Sequence, residues 1–114
     1  MISHFNLGDY DDFVESKWAH DQKFCPTLAY ATIKLAGECG EVADKIGKAY
    51  RGRDAATEAD RVAVAKELGD LLFYLVKIAH VFSFRLSDIA EMNVQKIEGR
   101  IARGTLLIGE GDNR

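Results

Sequence analysis

The residues best placed to do chemistry are two acidic couplets, Glu38-Cys39-Gly40-Glu41 and Glu67-Leu68-Gly69-Asp70. Each sets two carboxylates three residues apart in a stretch that reads as helix, and residues at i and i+3 share a helical face. Two such helices lying side by side bring four carboxylates into one small space. Four negative charges in a partly buried site repel strongly and do not all stay ionised without cations. Carboxylate oxygens without His or Cys ligands suit a hard divalent ion, above all magnesium, with manganese as a substitute. The expectation is a helical magnesium site held by Glu38, Glu41, Glu67 and Asp70. Taken singly, each couplet reads as surface acids paired with Lys34, Lys45, Lys48 or Lys77. The two together, with Glu67 and Asp70 in an apolar setting, favour metal. A di-iron bundle fits less well, because it uses Glu-x-x-His couplets. None of His4, His20 or His80 stands three residues after a glutamate.

The elements that must position these acids are helices. The chain has one proline and no alternating strand pattern. A first helix is expected over 9–20, with Asp9 as its N-cap and Phe13, Val14 and Trp18 as its apolar stripe. A loop follows, and Pro26 disfavours helix at Cys25. The second helix runs from Thr27 to Tyr50. Its core face is read as Leu28, Leu35, Cys39, Val42, Ile46 and Ala49. One flank carries Lys34, Glu38, Glu41, Lys45 and Lys48. The other carries Ala36, Gly40, Ala43 and Gly47, a small-residue stripe that lets a neighbouring helix come close. Glycine inside a helix costs about 1 kcal/mol relative to alanine, so Gly37, Gly40 and Gly47 point to tight packing. A charged connection leads to a third helix over 60–84. From Leu71 to Phe82 this helix is apolar almost all round, the mark of burial on most sides. Glu67, Asp70, Tyr74 and Lys77 form its polar stripe, and such a stripe needs partners. Ser87 is read as the N-cap of a fourth helix ending near Ala102. Asn93, Lys96 and Arg100 share one of its faces.

Composition narrows the function classes. At 114 residues the chain reads as one domain over 1–114, with a flexible tail from about residue 104. The net charge of −3 argues against binding a nucleic acid polymer, although single nucleotides need only a local basic pocket. No apolar run reaches the roughly 18 residues that span a bilayer and no signal sequence opens the chain, so no membrane partner is expected and the protein is placed in the cytoplasm. Cys25 and Cys39 suggest no disulfide framework, and Cys39 reads as a small core residue.

The couplets and their surroundings resemble a known family. Glu38-x-x-Glu41, followed after 25 residues by Glu67-x-x-Asp70, is similar to the signature of the all-α nucleoside triphosphate pyrophosphatases, the MazG-like group. The words Leu35-Ala36-Gly37-Glu38-Cys39-Gly40-Glu41-Val42 and Lys66-Glu67-Leu68-Gly69-Asp70-Leu71-Leu72-Phe73-Tyr74-Leu75 match it, as does the later Asn93-x-x-Lys96-x-x-x-Arg100. The resemblance spans about residues 28–103. Either couplet alone is a weak signal; together with the adjacent glycines and the Asn-Lys-Arg series they are specific. Many members carry a further acid where this chain has Gly37, so the sequence follows a four-acid version.

The resemblance implies an all-α, four-helix bundle completed by oligomerisation, as a homodimer or homotetramer. It implies magnesium-dependent hydrolysis of a (deoxy)nucleoside triphosphate to monophosphate and pyrophosphate, for nucleotide-pool control. Glu38, Glu41, Glu67 and Asp70 would hold the metal, and Glu38 or Glu41 would take the proton from the attacking water. Lys77, Asn93, Lys96, Arg100 and Arg103 would bind substrate, with Lys48, Arg51 and Arg53 as further candidates. Trp18, Phe24 and Tyr30 read first as core; the sharper expectation is that one of them stacks on the base beside His20. The words around Arg103-Gly104-Thr105 and Gly109-x-Gly111-Asp112 point to a phage and bacterial branch, with dGTP as the first expected substrate. The reading from another class is a non-catalytic helical module that senses nucleotide or nucleates an oligomer.

Overall fold

The computed structural model describes residues 4–20, 22–23, 25–52 and 56–104. Phe24, Arg53 and the tail beyond residue 104 lie outside the described residues. Among those described run four helices and no strand: α1 (Leu7–Lys17), α2 (Thr27–Tyr50), α3 (Glu58–Val81) and α4 (Leu86–Arg103). The all-α, four-helix expectation holds.

The helix starts differ from the sequence reading in an instructive way. Asn6 caps α1, its side-chain oxygen accepting Asp9 N–H at 2.9 Å, while the Asp9 carboxylate accepts Asn6 N–H at 3.0 Å. Asp9 is therefore the returning arm of a capping box, not the cap. Thr57 and Asp60 repeat the device at α3, which begins two residues earlier than expected. Helix α4 starts at Leu86, so Ser87 lies inside its first turn. The N-cap there is Arg85, whose N–H is accepted by Asp88 at 2.8 Å. A cap supplied from elsewhere in the fold, Asp11 Oδ1 accepting Leu86 N–H at 2.8 Å, replaces the local one. Helix α1 ends at Lys17, because Trp18 turns into extended backbone.

Helices α2 and α3 form the main packed pair. Residues 46–50 of α2 meet 60–68 of α3 at one end, and Tyr30 meets Phe73 and Tyr74 at the other, so the two run antiparallel. The seam on α2 follows Ala31, Lys34, Leu35, Glu38, Val42, Lys45 and Ala49, each buried or half-buried. That seam is rotated from the expected core face toward the acidic flank: Leu28, Cys39 and Ile46 are exposed. The small-residue stripe is also exposed, and nothing lies within 4 Å of a Cβ built on Gly37, Gly40 or Gly47. Close packing against that stripe is thus not made by any described residue.

Helix α1 lies across α3. Val14 and Val76, both fully buried, and Leu86 form the centre of the contact, with Tyr10, Leu72, Phe73 and Leu75 packed around them. Each fully buried side chain of this size contributes roughly 1.5–3 kcal/mol. Helix α4 touches α1 and α3 and does not approach α2. It leaves Met92, Val94 and Ile101 exposed.

Candidate active site

The antiparallel seam brings the acids together from both helices. Glu38 sits in the middle of α2, and Glu67 and Asp70 lie in the middle of α3, one turn apart. One carboxylate oxygen from each lies within 4.8 Å of the other two. Glu41 stands outside this triad, one turn further along α2 and exposed. The electrostatics show the crowding. Burial, then the charges of Asp70 and Glu67, push the Glu38 carboxyl above its ordinary value, with Glu41 adding to the rise and Lys34 opposing it. Three mutually repelling oxygens of hard donor type, with no nitrogen or sulfur ligand among them, form the donor set that fits a magnesium or manganese ion.

An aromatic wall stands beside the triad. Tyr74 lies one turn beyond Asp70 on α3. Burial raises its hydroxyl pKa, Lys34 opposes this, and Tyr30, Glu38 and Asp70 add to it. Trp18, Ala19, His20, Tyr30, Phe73 and Tyr74 line a cavity of about 230 Å³. The His20 ring stacks on Tyr30 with centroids 3.9 Å apart, held in place as Nε2 donates to the Cys25 carbonyl at 2.6 Å. Trp18 stacks on Phe73 at 5.9 Å and meets Tyr30 and Tyr74 edge-on. Drug-sized ligands fill roughly 300–1,000 Å³, so this smaller space suits one flat aromatic group. Of the aromatic residues singled out in the sequence, Trp18 and Tyr30 line the cavity together with His20.

The expected basic residues are distributed differently. Lys77 does not turn to the triad: its Nζ lies 2.9 Å from Glu15 Oε1 and 5.3 Å from the Trp18 ring centroid. Lys48 pairs with Asp44 at 3.0 Å. On α4, Lys96 and Arg100 are half-buried and Asn93 and Arg103 exposed, on a helix that does not approach α2, the carrier of Glu38. Lys34, one turn before Glu38, is the cation that opposes the rise of the Glu38 carboxyl, and its Nζ lies 5.9 Å from the Tyr74 ring centroid. Its place on the acidic flank of α2 was legible, but its bearing on Tyr74 was not. Tyr10 was missed altogether: burial, then the charge of Asp70, raises its hydroxyl pKa. Only its three-dimensional neighbourhood identifies it.

Comparison with known proteins adds two findings. The family model described as the MazG nucleotide pyrophosphohydrolase domain matches residues 27–103. The chain is also 38% identical over 88 residues to the Gene 37 protein of Mycobacterium phage L5, covering 76% of each sequence, and that name states no activity. No solved structure matches.

Proposed function

Because the chain belongs to the MazG nucleotide pyrophosphohydrolase family, we propose that it hydrolyses (deoxy)nucleoside triphosphates to monophosphate and pyrophosphate. The observation that carries this reading is the convergence of Glu38, Glu67 and Asp70 within 4.8 Å, beside an aromatic cavity of a size for one base. Those three residues would hold magnesium. When bound, the metal neutralises phosphate charge and acidifies a coordinated water.

The chain's own residues supply the rest. The open hollow lined by Trp18, Tyr30 and Tyr74 offers the base an aromatic surface that orients it by stacking. The seam fixes Glu38 and Glu67 on rigid helices, so the triphosphate is met by a preorganised site. Glu41, exposed and outside the triad, accepts the proton of the attacking water. Lys34 offsets part of the negative charge next to Glu38. Lys96 and Arg100 on α4, with Asn93 and Arg103, are proposed to bind phosphates. Since α4 does not approach α2 within the chain, they are best supplied by a second copy in a homodimer or homotetramer. An oligomer is supported by the exposed α2 residues Ile46 and Tyr50. It is supported too by an apolar hollow of about 420 Å³ that these two line with Ala49, Val64 and Leu68. The purine deoxynucleotide dGTP is the first proposed substrate.

The test is paired substitution. Asp70→Asn and Glu41→Gln should each abolish turnover of the preferred triphosphate while helix content stays unchanged. Turnover surviving both would favour a non-catalytic module whose acids serve packing or oligomer contacts alone.

A further inference from the structure

A second group of charged side chains meets away from the acidic triad, where α1 crosses the end of α3. Asp11 is the one fully buried charged residue among those described. Its Oδ1 accepts Leu86 N–H at 2.8 Å and lies 2.6 Å from His80 Nε2. The other imidazole nitrogen, Nδ1, lies 2.7 Å from Glu15 Oε1, and that same oxygen accepts from Lys77 Nζ at 2.9 Å. Arg85 closes the group: its Nη2 donates to the Gly8 carbonyl at 3.1 Å and to Asp12 Oδ1 at 3.2 Å, and its Nε stands 3.7 Å from Asp11 Oδ2.

Two features of this arrangement are informative. Asp11 Oδ2 has no hydrogen bond and only the longer ion pair with Arg85, so compensation for burying the carboxylate comes mainly through Oδ1. A buried carboxylate is costly unless it is paired and hydrogen-bonded, and at Oδ1 the partners are His80 and the N–H that opens α4. The His80 ring thus bridges the two acids through both of its nitrogens, tying the buried Asp11 to Glu15 one turn along α1. The two acids lie on one side of α1, and Trp18 is the residue at which that helix ends. The Lys77 side chain reaches Glu15 over the Trp18 ring.

We infer that Asp11 and Glu15 hold His80 as a bridging clamp that fixes the register of α1 on α3, and that the clamp positions the Trp18 wall of the aromatic cavity. His80 and Asp11 are then positioning residues: they touch no substrate and act through Trp18. The link to substrate rests on the nucleotide reading above, whereas the clamp stands on its own contacts.

Trp18 is the chain's one tryptophan, so its fluorescence reports the wall directly. The experiment compares the full-length protein with His80→Gln, Asp11→Asn and Glu15→Ala, measuring acrylamide quenching of Trp18, helix content by circular dichroism, and kcat and KM for the preferred triphosphate. Glu15→Ala cuts only the half-exposed arm of the clamp, so it keeps the test valid if the buried substitutions fail to fold. The expected result for Glu15→Ala is unchanged helix content, a quenching constant raised about twofold, and KM raised about tenfold with kcat within about threefold of the parent. Quenching and KM equal to the parent's in a folded Glu15→Ala protein overturn the clamp. Absence of turnover in the parent protein would instead overturn the nucleotide reading, and the quenching result would still decide the clamp.

Discussion

Replacing Asp70 with asparagine should stabilise the metal-free protein while removing its response to magnesium. In the triad, Asp70 faces both Glu38 and Glu67 within 4.8 Å. At that separation two unit charges repel by about 0.9 kcal/mol with water-like screening and about 3.5 kcal/mol at an effective dielectric of about 20. Asp70 is exposed while Glu38 and Glu67 are half-buried, so the lower part of that range applies, about 1 kcal/mol per pair. Removing both pairs stabilises the apo protein by about 2 kcal/mol, which for a domain of this size raises Tm by about 8 °C. The parent protein should behave in the opposite sense: destabilised in EDTA, and stabilised by about 2.7 kcal/mol when magnesium reaches about 100 times its Kd. Thermal melts of both proteins at equal concentration, in EDTA and across a magnesium series, measure all four quantities. An Asp70→Asn protein that melts lower than the parent in EDTA, or that keeps the parent's magnesium shift, would refute the reasoning that these acids form a repelling cation site.

Three further outcomes follow from the packing and the charges. Val14→Ala opens a cavity at the fully buried centre of the α1–α3 contact and should cost about 2 kcal/mol, read as a lower urea midpoint. Glu15 is held below its ordinary carboxylate value by the Lys77 hydrogen bond first and by His80 as well, with burial opposing. A depressed folded-state value means that this contribution is present above the unfolded pKa and is lost as pH falls through the folded one. Trp18 quenching should therefore stay low at neutral pH and rise on acidification below about pH 4, and a Glu15→Gln protein should lack that component. Tyr30→Ala removes the partner on which His20 stacks, and should raise KM about tenfold with a smaller effect on kcat; an unchanged KM places the base elsewhere.

What the sequence made legible, and what it hid, follows from the range of each interaction. The acidic couplets were readable because their spacing is local and helical, and α2 and α3 do bring Glu38, Glu67 and Asp70 together. The core face of α2 was less readable. Its apolar residues Leu28, Cys39 and Ile46 suggested one side, yet the seam includes Lys34, Glu38 and Lys45, because a site built into a helix interface places polar residues where periodicity expects apolar ones. The caps misled for a related reason: in a capping box both arms are cap-type residues, so Asp9 looked like the start when Asn6 was. At α4 the cap comes from Asp11, 75 residues earlier, and no local pattern announces it. The stripe Glu67, Asp70, Tyr74, Lys77 also failed at its end. Lys77 shares Asp70's angular position, but at 1.5 Å per residue it lies about 10 Å further along α3, level with Glu15 and Trp18. The His80 bridge to Asp11 and Glu15 spans 69 and 65 residues, and only the folded chain reveals it.

The central claim is the reaction itself, and product analysis tests it most directly. Purified protein would be incubated with each of the eight common ribo- and deoxyribonucleoside triphosphates, in magnesium and in EDTA, and the products separated. The account predicts monophosphate and pyrophosphate, fastest from dGTP, and no product in EDTA. Diphosphate with orthophosphate, or turnover that persists without a divalent ion, would contradict it.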